Sequence, residues 1–70
     1  MMERKEIEQF LGDFVGVGVP HGIVPDKLFF YFGTLIDINN FEIKLELNHE
    51  RGFKIIPIND ILDIGRRTPK

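Results

Sequence analysis

Residues 41–47 read FEIKLEL and contain the clearest strand signal of the chain. The odd positions hold large apolar side chains, and positions 42, 44 and 46 hold charged ones. Because successive side chains of a strand point to opposite faces of a sheet, one face of this stretch meets a core and the other meets water. The stretch therefore predicts a half-buried strand.

Four further strands are predicted on either side of this stretch. Valines alternate with glycines over residues 15–19, which predicts a first strand whose small residues allow a strong bend or the close approach of another backbone. A nearly continuous apolar run over 28–37 predicts a long second strand, with Gly33 where a bend needs room. The last two strands are expected at 53–56 and 61–64.

The first part of the chain, residues 2–12, is predicted to be an amphipathic helix. Ile7, Phe10, Leu11 and Phe14 follow the i, i+3, i+4, i+7 spacing of one helix face. Gly12 is a suitable residue to end the helix. A helix this short is not stable alone, so it must dock on the strands.

Length and composition predict one domain over residues 1–70, with a barrel over 14–64 and a basic tail over 65–70. The chain has no cysteine, so oligomerisation is the remaining common device that stabilises a small core. The net charge of −2 gives no bulk attraction to nucleic acid, so any such binding needs a local patch. With no apolar run of about 18 residues and an acidic start, a cytoplasmic protein is expected.

The residues that carry catalysis are scarce. The chain has no serine, and its two histidines, His21 and His49, are both expected in loops. A hydrolytic triad or a histidine metal site therefore has almost no material. We expect no enzyme activity, no cofactor, no metal and no small-molecule substrate.

Together these elements predict a mainly β fold, in which an N-terminal α-helix precedes a strongly bent five-stranded antiparallel barrel of the SH3 or Sm type. A two-layer arrangement of sheet and helix is the alternative. Phe10, Phe14, Phe30 and Phe32 are expected to fill the core. Phe41 follows the turn at residues 39–40, where its ring either joins the core or protrudes and stacks on a base.

Two stretches resemble the two motifs of the Sm-like and Hfq-like family. The first runs from Phe32-Gly33-Thr34-Leu35 through Phe41 to Leu45-Glu46, and the second is Ile55-Ile56-Pro57-Ile58-Asn59-Asp60-Ile61-Leu62-Asp63-Ile64. A helix followed by five strands is also the order of elements in that family. The resemblance covers most of the chain.

The resemblance implies a bent five-stranded barrel that assembles into a closed homo-oligomeric ring, in which the fourth strand of one subunit pairs with the fifth strand of the next. It also implies binding of single-stranded, often uridine-rich RNA around the pore. Carried onto this chain, the RNA-binding residues are the polar and aromatic positions of the two turns and the tail arginines: Asn39, Phe41, Asn59, Asp60, Arg66 and Arg67.

The chain departs from the family pattern in the pocket. Pro57-Ile58 stands where the family has a basic residue and a glycine, so the cationic stacking partner is replaced. Ile43 stands in place of a base-reading asparagine, and Asn39 in place of an aspartate. The loop over residues 20–26 is longer than is common in the family.

Three functional hypotheses follow. The first is an Sm-like ring that binds single-stranded RNA with an altered pocket. The second is an Sm-like or SH3-like protein-interaction scaffold that does not bind RNA, which the acidic net charge favours. The third, an enzyme, rests only on scattered carboxylates and the two histidines.

Overall fold

The structure is a computed structural model that describes residues 3–24, 26–47 and 52–68. One short helix precedes five strands, and a 3₁₀ turn separates the last two strands. The elements are α1 (Arg4–Glu8), β1 (Phe14–Pro20), β2 (Leu28–Ile38), β3 (Glu42–Leu47), β4 (Phe53–Pro57), the 3₁₀ turn (Ile58–Asp60) and β5 (Asp63–Arg66).

The strands form one antiparallel sheet in the order β4-β3-β2-β1-β5. This confirms the mainly β fold, the five antiparallel strands and the preceding helix. Within the described ranges, β4 and β5 each pair on one side only, so the sheet is open. Closure into a barrel stays a prediction.

β2 is the longest strand, with 11 residues, and it pairs along its length first with β1 and then with β3. Both partners meet at Gly33, which lies opposite Val15 of β1 and Leu47 of β3. A Cβ at Gly33 would meet the backbone carbonyl of Glu46, so the glycine provides the room that the sequence predicts here. A register shift at residues 35–37 adds a further irregularity, of the kind that bends a strand.

The core lies on one face of the sheet. Its buried side chains come from alternate strand positions, from the 3₁₀ turn and the residue that follows it, and from α1, which contributes Ile7. The other buried members are Val15, Val17, Leu35, Ile43, Leu45, Ile56, Ile58, Ile61 and Ile64. Burial of one such aliphatic side chain is worth about 1.5–3 kcal/mol, so these positions supply most of the driving force for folding.

The prediction that four phenylalanines fill the core is wrong for Phe30 and Phe32. Phe10 packs against the core, and Phe14 is half-buried. Phe30 and Phe32 lie on the opposite face, where their rings approach Gly18 and Gly16 of β1 so closely that a Cβ there would crowd them. The glycines of β1 therefore admit aromatic rings, and not another backbone.

The largest differences from the predicted element boundaries are at the end of the helix and at both ends of β5. The helix ends at Glu8, and turns follow it as far as Gly12, whose φ is +88°. β5 begins two residues after Ile61, because the 3₁₀ turn closes through a bond from Ile61 N to Ile58 O and delays the strand. β5 therefore includes residues 65 and 66, which were assigned to the tail.

Residues 48–51 of the predicted turn before β4, including His49, lie outside the described residues. The described end of that turn is Gly52, whose φ of +113° agrees with the role predicted for it.

Candidate functional site

The turn between β2 and β3 is held by a single side chain. The Asn39 Oδ1 atom accepts hydrogen bonds from the backbone N–H groups of Phe41 at 2.8 Å and Glu42 at 2.9 Å. Asparagine favours turns because its short amide reaches its own neighbouring backbone in this way. Asn39 therefore fixes the conformation of the turn that carries Phe41.

Phe41 presents its ring at the end of this turn, and the side chain is 80% exposed. Its backbone is bonded on both sides, since its N–H donates to Asn39 and its carbonyl accepts from Ile58 N at 2.9 Å. The ring is thus outside the core while its attachment to the sheet is fixed. Of the two positions that the sequence left open for Phe41, the structure has the protruding one.

The 3₁₀ turn lies next to the β2–β3 turn. Pro57 pairs with Glu42, and the bond from Ile58 N to Phe41 O joins the two turns directly. Asn59 and Asp60 follow on this turn and are both exposed. The structure therefore brings Asn39, Phe41, Asn59 and Asp60 to one end of the sheet.

A cation that sequence reasoning did not select reaches the same end. The Arg4 guanidinium of α1 donates to Oδ1 of Asn40 and also pairs with Glu8 at 3.0 Å. In the sequence Arg4 is one charge among several on a polar helix face. Its position beside the turn depends on how α1 docks, so no local signal points to it.

Arg66 lies at the junction of α1 and β5. Its Nε atom donates to the Asp13 carboxylate at 2.8 Å, and its guanidinium lies 5.1 Å from the centre of the Phe10 ring. A further contact at 3.5 Å joins it to the Gln9 carbonyl. Arg66 therefore holds the segment after the helix against the sheet.

Arg67 lies on the outer face of β1. Its backbone N–H bonds to Phe14 O at 2.9 Å, and its side chain lies against Gly16, close to the ring of Phe32. None of the contacts of Arg66 and Arg67 within the described ranges involves the β2–β3 turn or the 3₁₀ turn. The two tail arginines and the two turns thus form separate regions.

Two adjoining cavities form a cleft between β4 and the start of β2. They measure about 260 and 380 Å³ and share Val19, Pro20 and Tyr31. We call this the Tyr31 cleft. One half is also lined by Lys54–Pro57 and Asp60, and the other by His21–Ile23 and Phe29. Sequence reasoning missed it, because Tyr31 and Lys54 come together only when the sheet curls.

The described residues offer little for metal binding. In ranges 3–24, 26–47 and 52–68, no cluster of three or more His, Asp or Glu side chains is suited to hold an ion. His21 has a local role, since its Nδ1 atom accepts from the backbone N–H groups of Ile23 at 3.2 Å and Val24 at 3.0 Å.

Across these same ranges, no helix has both the length and the apolar character that crossing a membrane requires. No protein-family model, curated protein or solved structure matches the chain.

Proposed function

We propose that this chain is an Sm-like subunit that binds single-stranded RNA as a homo-oligomer in the cytoplasm. The observation that carries the proposal is the Phe41 ring, which is 80% exposed on a backbone bonded on both sides. A protruding ring on a fixed turn suits base stacking, because little conformational freedom is lost when a base binds.

The polar surroundings of Phe41 support a pocket that differs from the family pattern. Asn59 and the Asn40–Arg4 pair lie around the two joined turns, and the two asparagines offer amide donors to a base or a phosphate. The Arg4 guanidinium is already shared by Asn40 and Glu8, so its contribution is expected to be small. Asn39 acts here as a positioning residue, because its side-chain oxygen already serves the turn. Asp60 brings an acceptor and a negative charge, which favours base edges over phosphates.

Arg66 and Arg67 have a secondary part in this proposal. Each is exposed and carries a charge that attracts phosphate. Arg66, however, is already paired with Asp13, so its contribution to RNA affinity is expected to be smaller than that of Phe41.

Edge pairing between subunits is the proposed route to the oligomer. β4 and β5 are the two outer strands of the open sheet, and each is short, with 5 and 4 residues. Unpaired edges invite pairing with another chain, and repeated pairing of one edge with the other closes into a ring when the rotation fits. Such closure would also complete the bent barrel across subunits.

Fluorescence anisotropy with a labelled oligouridine tests the RNA proposal. Phe41→Ala is expected to weaken binding by about 1–3 kcal/mol, or roughly five- to 150-fold, since it removes one stacked base. Phe53→Ala is the matched control, because Phe53 is also an exposed phenylalanine but lies under the Lys44 ammonium at 4.5 Å. Equal affinities of wild type and Phe41→Ala would remove Phe41 from the site.

A scaffold that does not bind RNA is the second candidate. The pairing of Arg66 with Asp13 favours it, because that pairing reduces the free positive charge of a chain whose net charge is already −2. Failure of the wild-type chain to bind oligouridine, together with a stable salt-resistant protein complex, would support this candidate over the first.

A further inference from the structure

The outer face of the sheet, which points away from the core, is charged on β3 but apolar on the first half of β2. On β3 the outward positions hold two glutamates and a lysine, which is usual for a face that meets water. On β2 they hold Leu28, Phe30 and Phe32. Leu28 is 39% exposed and Phe32 is 42% exposed. Soluble chains seldom leave neighbouring large apolar side chains in water, so we expect a partner to cover this part of the sheet.

The apolar part of the outer face is flat. The rings of Phe30 and Phe32 have centres 6.3 Å apart and planes 21° from parallel. The two rings lean over Gly18 and Gly16 of β1, which have no side chains to rise above them. We call these four residues and Leu28 the outer aromatic face. A surface of this shape allows a second sheet to pack against it at the usual distance of about 10 Å.

One row of residues beside the outer aromatic face carries opposite charges at its two ends. Arg67 N bonds to Phe14 O, Phe14 pairs with Thr34, and Thr34 pairs with Glu46. Arg67 and Glu46 are therefore three strand spacings apart, or about 14 Å. Both are exposed, and neither forms an ion pair with another described residue. Their separation prevents them from pairing with each other within one chain.

A two-fold axis brings these opposite charges together in a pair of chains. An axis that runs along the strands, between β1 and β2, places β1 of one chain over β2 of the next and β5 over β3. The same operation places Arg67 over Glu46 of the partner subunit, and it does so twice because a two-fold interface is self-complementary. It also aligns the strands of the two sheets, which is one of the two arrangements that packed sheets adopt.

We propose that the outer aromatic face binds a second copy of this chain in a two-fold, face-to-face pair. Phe30 and Phe32 of each chain lie against the glycines of the other and leave water, and two Arg67–Glu46 ion pairs flank them. Aromatic rings and arginine are residue types that protein interfaces favour. The inference goes beyond RNA binding and uses the face of the sheet, not its edges. It shares only Arg67 with the RNA proposal, where Arg67 has a secondary part.

RNA is a poorer occupant of the outer aromatic face. Asp63 pairs with Gly18 at one side of the rings, and Glu46 ends the charged row at another. These carboxylates repel phosphate. A second copy instead supplies an arginine to each Glu46, so it is the occupant that the charges favour.

Sedimentation equilibrium of the full chain, from about 1 μM to about 1 mM, tests the proposal. Arg67→Glu should weaken the pairing at least about tenfold, because like charges then meet at both ends of the interface. Glu46→Arg alone should weaken it for the same reason. The double variant should recover most of the wild-type affinity, since it exchanges the two charges. Such recovery requires contact between chains, because the two residues are too far apart to pair within one chain.

Matched variants control for net charge and for loss of a ring. Lys5→Glu makes the same change in net charge on α1, which packs on the core side, and should leave pairing unchanged. Phe32→Ala should weaken pairing about five- to 30-fold. Phe53→Ala should not, although Phe53 is also exposed on the outer face, because the axis leaves β4 beyond the edge of the partner sheet. ¹⁵N spectra show whether each variant is folded.

The masses also separate this pair from edge pairing. If the edges form a ring, wild type should reach twice the mass of Arg67→Glu, and if they do not, the two should be dimer and monomer. The inference survives a failure of oligouridine binding, which does not involve the pair.

Three results would overturn the inference: equal masses of wild type and Arg67→Glu over the whole range, no recovery in the double variant, or equal effects of Phe32→Ala and Phe53→Ala. Oligouridine that shifts the amides of Phe30 and Phe32, in a chain whose mass does not change with concentration, would assign this face to RNA instead.

Discussion

Both the β2–β3 turn and the junction of α1 with β5 carry residue types suited to RNA. The two regions differ in whether that side chain is free or already engaged by its neighbours. At the turn, Asn39 is engaged by the backbone and leaves the Phe41 ring free. At the junction, the cation itself is engaged, because Arg66 pairs with Asp13 and covers Phe10. Residue type is visible in a sequence, but the availability of a side chain depends on its neighbours in the fold.

The two regions also differ in the kind of interaction that fixes them. The turn is fixed by hydrogen bonds from the backbone N–H groups of Phe41 and Glu42 to the Asn39 side chain, and from Ile58 N to the Phe41 carbonyl. None of these is an ion pair. The junction is fixed partly by an exposed ion pair, which salt screens. Four experiments test the comparison, from the largest expected effect to the smallest.

Gly33→Ala should have the largest effect, because Gly33 lies where β2 pairs with both β1 and β3. The added methyl group would meet the Glu46 carbonyl, so β2 and β3 must separate, and we expect a loss of about 3 kcal/mol in the free energy of unfolding. Urea denaturation measures it. Gly22→Ala is the control, because a Cβ there meets nothing within 4 Å and should change stability by less than about 0.5 kcal/mol. Equal effects of the two substitutions would contradict the close approach at Gly33.

Asn39→Ala should loosen the turn. Two backbone N–H groups lose their acceptor, so we expect a loss of about 1 kcal/mol in stability, measured by urea denaturation. Asn39→Asp retains an oxygen in the same place and should restore most of the stability. If Asn39→Ala is as stable as wild type, the side chain does not hold the turn.

Asp13→Asn and Arg66→Ala, made singly and together, should give a coupling energy of about 0.2–1 kcal/mol. The pair is exposed, so high salt should reduce the coupling. Thermal and urea unfolding at low and high salt measure it. A coupling energy of zero at low salt would show that Arg66 is free, and the comparison between the two regions would fail.

Phe41→Ala should have the smallest effect on stability, below about 0.5 kcal/mol, because the ring is exposed and contributes little to the core. Phe10→Ala is the matched contrast, since Phe10 packs against the core and Arg66, and it should destabilise clearly more. A large loss of stability in Phe41→Ala would mean that the ring serves the fold and not a ligand.

Alternation made much of the fold predictable. The patterns at 15–19 and 41–47 identify β1 and β3 and place Val15, Val17, Ile43 and Leu45 in the core. The run over 28–37 has no alternation, so nothing in it distinguishes Tyr31, which faces the core side, from Phe30 and Phe32, which face away. The start of β5 was misplaced because Ile61 is buried without belonging to a strand.

The candidate site was predictable only in its local parts. Turn chemistry identified the positions of Asn39 and Phe41, because both signals lie within a few residues. The contacts of Arg4 with Asn40, of Arg66 with Asp13 and of Lys54 with Tyr31 join residues far apart in the chain. Such contacts depend on docking and on the curl of the sheet, which residue patterns do not specify.

Light scattering coupled to size exclusion, with absorbance at 260 and 280 nm recorded on the same peak, tests the central claim most directly. An Sm-like, RNA-binding oligomer predicts a mass several times the 8.1 kDa of one chain, with nuclease-sensitive material that raises the 260/280 ratio. A monomer of 8.1 kDa with the absorbance of protein alone would contradict the claim.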